Sequence, residues 1–254
     1  MKFYKLSPEI RPGQKIYPSA YLSPEMKGAE FIPDGGDTKN FFKQPIEKSI
    51  NNTSLIDDVP VFDYFVLKEL YGKRKKKFDW IKLNAYDFVV GHYTISSCFL
   101  VSEQFKETIA VFNLPRHKFY PAKLMYKGEK LDYYIFQLGE ETKIAFEKCA
   151  YADRKSGIIQ TAVELGIHSE DDYLDKRGTF FDKGSVLDIH DFVLDKYHDY
   201  FICRELFKVV SKPLKEALEA AGLTEGWKFE DISPRTITFL NQQFYENPVV
   251  RSVR

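Results

Sequence analysis

Side chains able to do chemistry gather in three places along this 254-residue sequence. His190 and His198 stand among Asp188, Asp191, Asp195 and Asp199, a mixture of imidazole and carboxylate that a zinc or manganese ion could share in a hydrolase. Their spacing does not follow a helical H-E-x-x-H pattern. They read instead as polar ends of two strands flanking a turn at Asp195-Lys196-Tyr197. Five consecutive basic residues, Lys73–Lys77, form the second group and could grip a phosphate chain. A solvated loop is the plainer reading of such a run. The third group is acidic: Glu170, Asp171, Asp172 and Asp175 could plug a basic active site on another protein. The stretch Ser169–Lys176 reads as an acidic loop opening into a short helix.

No other constellation emerges. The sequence holds no Gly-x-Ser-x-Gly elbow, no phosphate-binding loop and no dinucleotide fingerprint. His92 and His117 are isolated, and Cys98, Cys149 and Cys203 sit in no nucleophile motif. An odd number of widely spaced cysteines fits reduced thiols in the cytoplasm. Net charge is zero, so nucleic acid is not an expected partner. No apolar run is long enough to span a membrane, and the first residues contain no leader-like apolar core. No catalytic residue, metal ligand or cofactor is assigned.

The elements that must position any site are announced by an internal repeat. Leu100–Pro121 matches Val209–Asp231 about 109 residues later. Ser102 meets Ser211, Phe105 meets Leu214, Lys106-Glu107 meets Lys215-Glu216, and Ile109 meets Leu218. Asn113 meets Gly222, and after a one-residue slip Lys118-Phe119 meets Lys228-Phe229. Each serine is placed to cap a helix by accepting from a free first-turn N–H. Pro213 falls in that turn, where its missing donor costs nothing. Phe105, Ile109 and Phe112, like Leu214, Leu218 and Ala221, recur at helical spacing as one buried stripe. Asn113 and Gly222 are expected to end their helices in the left-handed conformation. Apolar runs before each serine, and aromatic-basic stretches after each helix, read as strands.

The pattern of Phe207–Phe229 resembles the C-terminal signature of a bacterial immunity-protein family from polymorphic-toxin systems. Pro60–Phe65, Phe78–Trp80, Cys98–Ile109, Phe119–Leu124 and Leu131–Phe136 resemble a related immunity family. The resemblance covers roughly Val59–Ile232. It implies a cytoplasmic protein that binds and neutralises a cognate toxin, and it brings no catalytic residue with it. The acidic group Glu170, Asp171, Asp172 and Asp175 is the expected toxin-binding surface. A metal-dependent hydrolase using Asp188–Asp199 and a nucleic-acid module using Lys73–Lys77 are the alternatives.

The expected fold is α+β: a mixed, largely antiparallel sheet with helices packed on it, built from two related strand–helix–strand units. The expected division is 1–146, holding the first unit, and 147–254, holding the second, with one continuous domain as the alternative. Further expectations are an opening strand at Lys2–Leu6, a strand then a short helix within Val59–Tyr71, a helix at Thr161–Leu165 stopped by Gly166, and a last helix at Thr236–Phe244.

Overall fold

Runs of alternating apolar side chains become strands through most of the chain in the computed structural model, which describes residues 1–9, 82–90, 93–126 and 129–241, with Leu55 and a few strand segments between residues 19 and 78. In chain order the strands are β1 Phe3–Pro8, β2 Ser19–Tyr21, β3 Ala29–Ile32, β4 Tyr64–Leu67, β5 Leu70–Tyr71, β6 Lys77–Phe78, β7 Ala85–Val90, β8 Tyr93–Ser102 and β9 His117–Tyr126. They continue as β10 Glu129–Leu138, β11 Ala150–Asp153, β12 Ile159–Thr161, β13 Leu187–Leu194, β14 Tyr200–Cys203, β15 Phe207–Ser211, β16 Trp227–Asp231 and β17 Thr236–Phe239. Four α-helices intervene among the described residues: α1 Glu103–Ala110, α2 Ala162–Leu165, α3 Glu170–Asp182 and α4 Lys212–Ala220. The α+β class is as expected, with helices on mostly antiparallel sheets.

The chain forms two compact units, cut differently from the expected halves. The first takes Met1–Glu141, Asp199–Ile202 and Leu206–Glu230; the second takes Thr142–His198, Cys203–Glu205 and Asp231–Arg254. Both strand–helix–strand copies therefore lie in the first unit, and the second is spliced between them. The reason is visible in the core. Ile109 of α1 and Leu214 and Leu218 of α4 are buried in one apolar cluster with Phe99, Phe136 and Trp227.

Among the described residues the first unit has two large sheets, besides the two-stranded pair β5-β6. One is ordered β14-β15-β1-β16; the other closes as a barrel in the order β10-β8-β7-β2-β3-β4-β9. Antiparallel registers fix its central part: Tyr133 of β10 lies opposite Ser102 of β8 and Ala122 of β9. Hence β8 and β9, the strands before and after α1, run parallel with β10 between them. The second copy has the same lane order. Here β15 and β16 flank β1, and Phe3 lies opposite Ser211.

The second unit carries a sheet ordered β12-β11-β13-β17, with β13 and β17 parallel. A β-bulge interrupts the β11–β13 register at Ala150/Tyr151. Thr161, expected as the first helical residue, instead caps α2 reciprocally with Glu164; Gly166 ends the helix at φ 66°, the stop expected from sequence. The expected helix at Thr236–Phe244 is instead β17, followed by residues of which only 240 and 241 are described. Ile237 and Phe239 are buried while Thr236 and Thr238 face outward, a strand's period of two. In place of an acidic loop at Ser169–Lys176 stands the start of α3, thirteen residues long. The Ser169 hydroxyl accepts from the Asp172 N–H at 3.2 Å, and three carboxylates in the first turn suit the helix dipole. Tyr173 anchors it, its ring 5.5 Å from those of Phe146 and Tyr151. Within Val59–Tyr71 the described residues are β4 and β5, the latter paired with β6 and not helical. No helix among the described residues is long and apolar enough to cross a membrane.

Helix α4 ends as its sequence requires. Gly222 adopts φ 68°, its N–H reaches Glu219 O at 3.0 Å, and the Leu223 N–H reaches Leu218 O at 2.9 Å. These are the two bonds of a Schellman motif. Gly222→Ala places a Cβ in the left-handed region and is expected to lower unfolding free energy by about 1–2 kcal/mol. A urea titration of the two proteins measures it.

Candidate functional site

The residues that carry the repeat build one local structure twice. In the first copy the Ser102 hydroxyl accepts from the Phe105 N–H at 3.2 Å and donates to Asn84 Oδ1 at 3.0 Å. The Ser102 N–H donates to Asn84 O at 2.8 Å. In the second copy the Ser211 hydroxyl accepts from the Leu214 N–H at 3.3 Å and donates to Asp199 Oδ1 at 2.6 Å. The Ser211 N–H donates to Asp199 O at 2.7 Å. Asn84 and Asp199, each just before the hairpin strand, are thus equivalent positions. Asn84 was not singled out from sequence, and Asp199 only as a candidate metal ligand, although a short side chain bearing an acceptor oxygen at both places is a readable signal.

Equivalence extends to the strand in the middle lane. Tyr134 stands opposite Val101, and Tyr4 stands opposite Val210. Lys106 of α1 lies with its Nζ 3.8 Å from the centre of the Tyr134 ring, and Lys215 of α4 lies 5.1 Å from that of Tyr4. Each copy therefore holds a lysine over an aromatic face, a cation–π contact. Phe3 matches Tyr133 and Leu6 matches Phe136, all four being buried.

The copies part company at three points. Asn113 does not take the left-handed conformation: Phe207 is the one non-glycine residue with positive φ among the described residues. Its N–H is met instead by Asp199 Oδ2 at 3.0 Å, and its carbonyl accepts from the Asp199 N–H at 2.7 Å. Asp199 thus ties the end of the first helical segment to the cap of the second. The second difference is Lys208, which occupies the place of Phe99. Its ammonium is buried against the Asp87 carboxylate and lies 4.6 Å from the centre of the Phe99 ring and 5.8 Å from that of Trp227. Burial pushes the Asp87 carboxyl above the usual range, and the Lys208 charge works against that rise. The third is the Trp227 indole, which donates to Ala85 O at 3.1 Å.

Between the two helices and the sheets lies a cavity of about 20 Å³ walled by Leu6, Phe99, Phe136, Tyr200, Leu218 and Trp227. It has room for little more than a water molecule and a nearly wholly apolar lining. It is a gap in the core and offers no reacting groups.

The histidine–aspartate stretch is dispersed among separate tasks. Asp188 Oδ2 takes two bonds from Arg154, at 2.9 and 2.7 Å. Asp191 Oδ1 accepts from Thr236 Oγ1 at 2.7 Å and lies 2.9 Å from His190 Nδ1. Asp195 Oδ1 accepts from the Lys143 N–H at 3.0 Å, and Asp199 belongs to the knot described above. Each of the four aspartates thus has its own bonding partners. No group of three or more His, Cys, Asp or Glu among the described residues stands close enough to share a metal ion. Of Lys73–Lys77, Lys77 lies in β6 and the others fall outside the described residues. Cys98, Cys149 and Cys203 are all buried and none is in a disulfide; burial raises Cys98 to about 12 and Cys149 to about 11, far from thiolate reactivity at neutral pH.

The acidic group is brought together on the first two turns of α3, with divided roles. Glu170 pairs with Arg204. Asp172 Oδ2 accepts from the His168 N–H at 2.9 Å, and hydrogen bonds from the His168 backbone and the Ser169 side chain hold its carboxyl below the ordinary value. Asp171 and Asp175 are exposed on the outer side of the helix. Compared with known proteins, the chain matches no family model and no curated sequence.

Asp87→Ala strands the Lys208 ammonium in the core and is expected to cost about 3–5 kcal/mol, whereas replacing the pair with Leu at 87 and Met at 208 recovers most of it. Denaturant midpoints of the single and double variants measure both.

Proposed function

We propose that this chain is an immunity protein, which binds one cognate bacterial toxin domain and blocks it in the cytoplasm of the cell that makes both. The observation that carries this reading is the stretch Phe207–Phe229. Its resemblance is to such a family, and its residues fold as a strand, a serine-capped helix and a second strand. The Leu100–Pro121 stretch folds the same way in the same unit. Function then resides in a surface held by a stiff scaffold, and inhibition proceeds by occlusion or by allosteric blocking. The energy of such a complex concentrates in a few anchoring side chains.

The placement of the ionisable residues agrees with a binding role. Asp188, Asp191, Asp195 and Asp199 each hold a strand, turn or cap in place. Co-expression with the product of the neighbouring gene tests the reading. The neighbour alone is expected to arrest growth, and this chain to restore it and co-purify with the neighbour. A toxic neighbour that this chain neither rescues nor binds contradicts the proposal.

A further inference from the structure

One face of α3 is built in a way the fold does not require. At 100° per residue, Asp171, Leu174, Asp175, Gly178, Phe181 and Asp182 fall within an arc of about 120°. All six are exposed. They form two lanes. Leu174 and Phe181 make an apolar lane, with Phe181 exposed to 73%. Asp171, Asp175 and Asp182 make an acidic lane beside it. Gly178 sits between Leu174 and Phe181 and, having no side chain, leaves a gap between theirs, where a Cβ would stand in open space with nothing within 4 Å.

None of this serves α3 itself. The helix is held through the opposite side by Tyr173, which is 1% exposed. Glu170 and Asp172 have work within the chain, whereas Asp171, Asp175 and Asp182 form no ion pair among the described residues. Like charges four residues apart repel on a helix. Gly178 lowers helix propensity without a positive φ that would call for glycine. Arg177, one of the two cations on the helix, is directed to Glu205 at 3.5 Å. The outer face therefore presents an aromatic side chain, a notch and uncompensated negative charge side by side.

We propose that this face is the docking surface of the chain, and that its occupant is a partner protein with an apolar pocket for Phe181 bordered by lysine or arginine side chains. Under the neutralising role proposed above, on which this inference rests, that partner is the cognate toxin. Phe181 supplies the buried anchor, Gly178 lets the pocket rim approach the helix backbone, and the acidic lane meets the basic border and steers encounter.

The test measures affinity of the full chain for the purified product of the neighbouring gene, with Phe181→Ala, Gly178→Leu and an Asp171→Lys/Asp175→Lys variant. Phe181→Ala and Gly178→Leu are expected to weaken binding by at least about 30-fold. The charge variant is expected to slow association at low salt, with a smaller effect at high salt. Melting temperature is expected to hold or rise for Gly178→Leu, which separates lost binding from lost folding. Wild-type affinity in all three variants overturns this surface while leaving the neutralising role standing. A wild-type chain that does not bind the neighbour overturns both. A self-associating chain that Phe181→Ala renders monomeric, with unchanged affinity for the neighbour, makes the face a homotypic contact and also overturns the proposal.

Discussion

A helix is about 10 Å wide and neighbouring strands lie about 4.8 Å apart, so a helix laid on a sheet covers roughly two strand lanes. A chain that leaves a strand, forms such a helix and returns in parallel leaves a lane open between its two strands. That lane must be filled, because unpaired backbone donors and acceptors in a sheet interior are costly. In the first copy β10 fills it, arriving by a hairpin from β9. In the second copy no following strand is available in the same unit, since the chain passes into the second unit after Glu230. The first strand of the chain, β1, fills the lane instead. The rest of the first unit follows from this closure. Tyr4 comes to lie under Lys215, Leu6 joins the core with Phe136, and Phe3 is opposite the cap serine.

This arrangement also accounts for what could be read from sequence. Caps and stripes are local, so Ser102, Ser211, Pro213 and Gly222 disclosed both helices with their ends. The third strand is not local. Lys2–Leu6, KFYKL, is the counterpart of Asp132–Phe136, DYYIF, but it stands some two hundred residues before its own copy, where a search for a repeat in chain order does not look. The end of α1 was hidden for a related reason. Asn113 is a residue type that tolerates positive φ, yet a carboxylate from position 199 satisfies its N–H and removes the need. Strand β17 stands where a helix was expected because Thr-Ile-Thr-Phe alternates and buries Ile237 and Phe239 on one face.

The candidate surface was legible in part. The acidic residues at 170–175 drew notice by composition alone, but composition cannot say which carboxylates are used internally. The structure divides them: Glu170 pairs with Arg204 and Asp172 accepts from the His168 N–H, while Asp171 and Asp175 look outward beside Leu174 and Phe181. Phe181 lies beyond the acidic stretch read from sequence, and only the thirteen-residue length of α3 brings it onto the same face. Conversely, the histidine–aspartate stretch looked chemical because its residues are close in sequence. In the fold Asp188 goes to Arg154, Asp191 to Thr236, Asp195 to the Lys143 N–H and Asp199 to the Ser211 cap.

The closure of the second copy by β1 is tested most directly by amide hydrogen exchange of Phe3–Leu6 in the intact protein. A strand paired on both sides within the core exchanges only through cooperative opening. These amides are therefore expected to be protected to the same degree as those of Val209 and Val210 in β15. Exchange at the rate of an unstructured terminus, with β15 still protected, would contradict the account.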